Sequence, residues 1–299
     1  MKRALAICIA LVIILSLIFC RQFFADTPRD PNVLYEDSPA EELKEKIYDL
    51  TQAQKMPFYW EQQPKPYLGT INNCMILSYR TNSITFELYH KVIADCKFTW
   101  MGHFYLYAYR DGEICTLQDA YENGWLTKEH IQLIHAKHVE IHDNWGQIYQ
   151  EWKNQQNQPD SRNPNVLYKD HLSKEVKTRI ASHLSSYHYR VLKWDYVDPY
   201  YGTINNCIIL IIHPLFQAIP QPWTSVVADY TFEWDNPIYI YVYRKGVPAE
   251  ACELEEAYEK GWLTKEQIGA IYEKHLDYRE EFPQLLEKWN QAQEETQAS

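Results

Sequence analysis

The sequence predicts an α+β protein built from one module repeated in tandem, each copy an α-β-β-β-α-α arrangement with a three-stranded antiparallel sheet and packed helices. Three observations carry this. Blocks of the chain recur in the same order at a nearly constant separation, segments of period-two apolar alternation lie between segments of helical period, and a polar stretch divides the two sets.

The recurrence is direct. Pro31-Asn32-Val33-Leu34-Tyr35 returns as Pro164-Asn165-Val166-Leu167-Tyr168, and Gly69-Thr70-Ile71-Asn72-Asn73-Cys74 returns unchanged as residues 202–207. Ala120-Tyr121-Glu122 and Gly124-Trp125-Leu126-Thr127-Lys128-Glu129 return as residues 257–259 and 261–266. The separation grows from 133 to 134 to 137 residues, so insertions fall in loops. Residues 153–163 are too poor in apolar side chains to pack and read as a linker. Trp152 and Trp289 close the two copies. The expected organisation is a hydrophobic leader at 1–25, a first module at 30–152, the linker, a second module at 164–290 and a polar tail at 291–299.

Each element follows from local chemistry. Ser38-Pro39-Ala40-Glu41 offers an N-cap, a first-turn proline and a capping Glu before Leu43, Ile47 and Leu50 at helical spacing. Its counterpart opens near Ser173. A strand follows at Cys74 to Tyr79, matched by the apolar run Cys207 to Ile212. The next stretch alternates, with Val92, Ala94, Cys96, Phe98 and Trp100 on the expected core face and Asp95 on the other; Val226 to Trp234 repeats it around Asp229. A third strand sets Phe104, Leu106 and Ala108 against Tyr105, Tyr107 and Tyr109, and Ile238, Ile240 and Val242 against Tyr239, Tyr241 and Tyr243. Asp111-Gly112 and Lys245-Gly246 turn the chain, Gly124 stops a short helix, and Thr127 caps the next.

The run of G-T-I-N-N-C, an alternating strand with Ala-Asp that ends in Trp, Tyr-x-Tyr-Arg, and A-Y-E-x-G-W-L-T-K-E resembles a module of uncharacterised, exported bacterial proteins. The resemblance covers nearly all of both copies and implies no activity for any residue. The tandem architecture is also similar to that of secreted inhibitors made of two α+β modules, without shared motifs.

Composition narrows the partners. The chain is 46% hydrophobic and 15% aromatic, with a formal charge of −11. Nucleic acid is therefore not an expected partner. Met1-Lys2-Arg3 precedes an apolar run from Ala4 to Cys20, which reads as a signal peptide or a membrane anchor. Either places the remainder outside the cytoplasm, secreted or held at the membrane by that segment.

Candidate chemistry is sparse. By repeat symmetry, Cys74 pairs with Cys115 and Cys207 with Cys252 as disulfides in an oxidising compartment, the alternative being small buried side chains, while Cys96 has no counterpart. His135, His138 and His142 share a helix face, which offers a metal site or a solvated face; only His138 recurs, as His275. Asp95 and Asp229, near Asn73 and Asn206, offer a general acid or base, or simple hydrogen bonding. The six tyrosines, Tyr105, Tyr107, Tyr109, Tyr239, Tyr241 and Tyr243, offer a surface for a protein or glycan, unless the C-terminal helices cover it. No catalytic motif, cofactor signature or metal motif is present in the sequence. The reading is a non-enzymatic binding or interaction protein outside the cytoplasm, the alternatives being an envelope hydrolase working through Asp95 and Asp229, or a secreted inhibitor.

Overall fold

In the computed structural model, which describes residues 29–81, 87–186, 194, 197–213 and 222–298, the chain is α+β, with seven helices and four antiparallel sheets among the described residues. The elements begin with α1 (Glu41–Ala53), β1 (Tyr67–Ile71), β2 (Cys74–Arg80), β3 (Leu88–Ile93), β4 (Cys96–Met101), β5 (Phe104–Arg110) and β6 (Glu113–Thr116). Three helices follow: α2 (Leu117–Glu122), α3 (Lys128–Asp143) and α4 (Trp145–Gln156). The second half runs α5 (Lys174–Ser186), β7 (Tyr200–Ile204), β8 (Cys207–Ile212), β9 (Trp223–Val227), β10 (Tyr230–Trp234), β11 (Tyr239–Arg244), β12 (Glu250–Glu253), α6 (Leu254–Glu259) and α7 (Lys265–Ala298). The expected leader at 1–25, with Cys8 and Cys20, lies outside the described residues. No described helix is long and apolar enough to cross a membrane.

The expected three-stranded sheet is instead a four-stranded sheet, β1-β2-β5-β6, with a separate hairpin, β3-β4; the second half repeats this as β7-β8-β11-β12 and β9-β10. Turns explain the difference. Asn72 and Asn73 have φ of 47° and 59°, and Asn205 and Asn206 have 46° and 63°. Two successive positive φ values make the two-residue hairpin turn, a conformation that Asn tolerates well. Hence β1 folds directly onto β2, and β7 onto β8.

The single strand expected from Val92 to Trp100 is also a hairpin. Ala94 and Asp95 take φ of 49° and 67°, as Ala228 and Asp229 do at 52° and 70°. With Ile93 paired to Cys96, the two-residue turn reverses parity: Ile93 shares the inner face with Phe98 and Trp100 and is buried, whereas Val92 is 60% exposed. The first helix begins at Glu41, with Ala40 at its cap and no side-chain capping bond, two residues later than its sequence suggests.

Contacts divide the described residues into two units. One takes residues up to Leu43, Asp49–Phe58 and Lys65–Asp143; the other takes Lys44–Tyr48, Tyr59–Pro64 and residues from Asn144 onward. In the second unit both sheet faces are covered. Ile209, Ile211, Ile240 and Val242 pack against Phe232 and Trp234 of the hairpin and against Trp262, Leu263, Ile268 and Ile271. On the opposite face Ile208, Leu210, Ile212, Tyr241 and Tyr243 pack under Val176, Ile180 and Leu184 of α5. Each such fully buried side chain contributes about 1.5–3 kcal/mol, which is why the β8 run is apolar at every position.

The repeated motifs meet in space. Tyr35 and Thr70 exchange backbone hydrogen bonds of 2.9 and 2.8 Å, and Tyr168 and Thr203 do the same at 2.9 and 2.7 Å. Gly69 and Gly202 permit this: a Cβ on Gly69 would stand 2.8 Å from the Tyr35 carbonyl oxygen, and one on Gly202 would stand 2.6 Å from Leu167. The Asn72 amide donates to the Trp125 carbonyl at 2.9 Å, so the turn and the G-W-L-T block hold each other; Asn205 repeats the contact to Trp262 at 3.4 Å.

Candidate functional site

Asp95 and Asp229 occupy hairpin tips rather than strand faces, so the arrangement expected of them as acid or base is absent. Each carboxylate is 86% exposed and pairs with a lysine, Asp95 with Lys128 and Asp229 with Lys265. The hydrogen bond and charge of that lysine hold each carboxyl below its usual range. Asn73 and Asn206 serve first as turn residues.

The tyrosine stripe is core in large part. Tyr107, Tyr241 and Tyr243 are buried, and Tyr105, Tyr109 and Tyr239 are half-buried. In the second unit the cover over this face is α5, not the C-terminal helices, which pack on the other face. The parity of β11 decides this, because Ile240 and Val242 point to α7 and the tyrosines point away from it.

The proposed disulfides do not form: Cys74, Cys96, Cys115, Cys207 and Cys252 are free thiols. Cys74 lies on β2 and Cys115 on β6, with β5 between them, and Cys207 and Cys252 are likewise separated by β11. Two strand spacings amount to about 10 Å, beyond the roughly 7 Å that a disulfide spans. Burial raises the Cys115 thiol to about 11 and those of Cys207 and Cys252 to about 12.

His135, His138 and His142 share a helix face but engage different partners. The His135 Nε2 meets the Lys97 carbonyl at 3.0 Å, the His138 Nε2 meets that of Thr99 at 3.0 Å, and the His142 Nδ1 faces Asp143. Among the described residues no cluster of three or more His, Cys, Asp or Glu is arranged to hold a metal. His138 is buried against Phe98, Trp100 and Phe104, and desolvation lowers its pKa to about 4.

The second unit does contain a cleft of about 300 Å³, lined by Asn157, Asn205, Asn206, Arg244, Lys245, Glu250 and their neighbours. One part of its wall, Lys245, Gly246 and Pro248, arises where the second copy departs from the first. Arg110 and Glu113 are separated by Asp111-Gly112, whereas Arg244 and Glu250 are separated by Lys245-Gly246-Val247-Pro248-Ala249. Those three additional residues account for the step in repeat separation from 134 to 137. The longer loop and the β7-β8 turn are each tied to the linker: the Val247 N–H donates to the Asn157 side-chain oxygen at 3.0 Å, and the Asn206 amide of the turn donates to the Gln158 carbonyl at 2.6 Å. Trp262 also lines the cleft, with the Arg244 guanidinium 5.5 Å and the Lys260 ammonium 4.9 Å from its ring.

No protein-family model, no curated protein and no solved structure matches this chain. The cleft's own chemistry therefore carries the functional argument.

Sequence reasoning named Asn206 but missed the cleft and the ion-pair cluster around Arg162. Arg162 chelates Asp160 and Asp170 and lies 4.2 Å from the Tyr168 ring. The hydrogen bonds of Arg162 hold Asp160 down at about 2. The first unit repeats the cluster with Arg29, Asp37 and Tyr35. The signal was present, since Arg29 and Arg162, and Asp37 and Asp170, share the 133-residue separation of the P-N-V-L-Y block that they bracket.

Proposed function

We propose that this chain is a non-enzymatic binding protein acting outside the cytoplasm, built from a duplicated module of the exported bacterial type, with its ligand site on the second copy. The observation that supports this reading is the cleft bounded by Lys245–Ala249 and by the linker at Asn157 and Pro159. A duplicated scaffold of one strand order acquires a concave, polar-lined site in the copy whose loop is longer. The basic-flanked apolar segment at the N-terminus supports export, with attachment to the membrane if it is retained. A hydrolase working through Asp95 and Asp229 is disfavoured by their exposed, lysine-paired positions at two hairpin tips.

The test replaces residues 245–249 by Asp-Gly, the loop of the first copy, and screens small sugars, organic acids and peptides by thermal shift. Ligands are expected to raise the melting temperature of the native chain and not that of the shortened one. Equal shifts in both proteins, or no shift from any compound, would overturn the proposal.

A further inference from the structure

Resting on that reading, we infer that the second-copy cleft takes an acidic sugar, a ring carrying one carboxylate and several hydroxyls. The first ground is charge. In the first copy Arg110 has a carboxylate beside it, Asp111 at 3.5 Å. In the second copy the corresponding residue is Lys245, and Arg244 makes no ion pair among the described residues. The Asp111 carboxylate of the first copy is thus replaced by a second cation, and Arg244 and Lys245 both line the cleft beside Glu250, with Lys245 also in the field of Asp160 and Asp170, which Arg162 pairs. A planar guanidinium beside an ammonium is a site for a carboxylate, held by charge-assisted hydrogen bonds.

The second ground is the remaining hydrogen-bonding capacity. Asn205 and Asn206 each use their amide nitrogen internally, and Asn157 uses its oxygen. Their other amide atoms, together with the Glu250 carboxylate, offer acceptors and a donor to the cleft, which suits hydroxyl groups. The third ground is size: about 300 Å³ lies at the small end of ligand pockets, enough for a sugar unit and too small for a folded partner. Trp262 is 7% exposed and already faces two cations, so recognition runs through polar groups rather than through ring stacking.

Isothermal titration of the full exported chain with glucuronate, glucose and inorganic phosphate tests this. Glucuronate is expected to bind more tightly than either, with affinity falling as salt is added. Arg244→Ala should weaken it roughly 10- to 100-fold, the loss of one charge-assisted contact. Lys245→Asp, which recreates the Arg-Asp pair of the first copy, should weaken it at least as much, and Arg110→Ala should leave it unchanged; unaltered melting temperatures establish that the variants are folded. Glucose binding as tightly as glucuronate would remove the role of the cations, and phosphate binding as tightly would remove that of the hydroxyl groups; either overturns the inference while leaving a binding site. No glucuronate binding overturns it as well, and the failure of the site itself is read separately from the thermal-shift comparison of the shortened loop.

Discussion

Tyr201→Phe isolates one buried hydrogen bond without changing the packing around it. The Tyr201 hydroxyl meets the His275 Nδ1 at 3.0 Å, while the His275 Nε2 meets the Glu233 carbonyl at 3.0 Å. Tyr201 is 2% exposed and His275 fully buried, so water cannot replace the lost donor. The carbonyl fixes the proton on Nε2, which leaves Nδ1 as an acceptor that the tyrosine fills. A phenylalanine keeps the ring contact with Tyr278 at 5.2 Å and leaves Nδ1 bare, at a cost of about 1–3 kcal/mol. The first copy shows the result of that change: Leu68 stands where Tyr201 does, and the Nδ1 of His138 is buried without a hydrogen-bond partner. Urea unfolding followed by circular dichroism should show the loss at unchanged slope, and in a cycle with His275→Phe the double variant should cost less than the sum. Additive effects, or a single-variant loss under about 0.5 kcal/mol, would refute the assigned hydrogen bond.

Three further outcomes are expected. Asn72→Gly retains the positive φ and loses only the bond to Trp125, about 1 kcal/mol, whereas Asn72→Ala adds about 1–2 kcal/mol of backbone strain, so equal losses in urea titrations would contradict the turn. Burial depresses the pKa of His138 and of His213 to about 4, below the ordinary 6.5; the unfolded chain binds the extra proton, so stability is full above pH 6.5 and falls as the pH drops through 4. Arg80, His135 and His142 add positive charge around His138, and His275 does so around His213; each histidine contributes at most about 3 kcal/mol. Denaturant midpoints measured from pH 7.5 to 4.5 should therefore slope, and His138→Phe should flatten part of the slope, whereas an unchanged profile would count against its neutral burial. Alkylation of unreduced, denatured protein should label Cys74, Cys115, Cys207 and Cys252, while Cys74 and Cys207 resist labelling in the native state; a protected Cys74–Cys115 pair after denaturation would contradict the strand order.

Much of the fold was legible because its signals are local. β8 is a continuous apolar run and β2 opens as one, β5 and β11 alternate with period two, and Thr127 and Ser173 cap their helices as their positions suggest, accepting from the N–H groups of His130 and Val176 at 3.3 Å. The hairpin at Asp95 was not legible, because Ala-Asp is a weak turn signal and a two-residue turn leaves apolar residues on both sides of an apparently unbroken alternation. β6 and β12 have four residues each, too few to show a period. Which layer covers the tyrosines depends on the pairing of Val242 with Ile209, a long-range fact that no local pattern contains. The cleft was half legible: the jump in repeat separation marked the insertion at 245–249, but the contact of that loop with Asn157 joins residues 90 apart in sequence.

The most direct test of the account is amide chemical-shift mapping of the full chain titrated with glucuronate. Shifts are expected at Asn205, Asn206, Arg244, Lys245 and Gly246, with Asn72, Asn73, Arg110, Asp111 and Gly112 unmoved. Equal shifts in both sets, or shifts confined to residues outside the cleft, would contradict the claim that the second copy alone became the binding site.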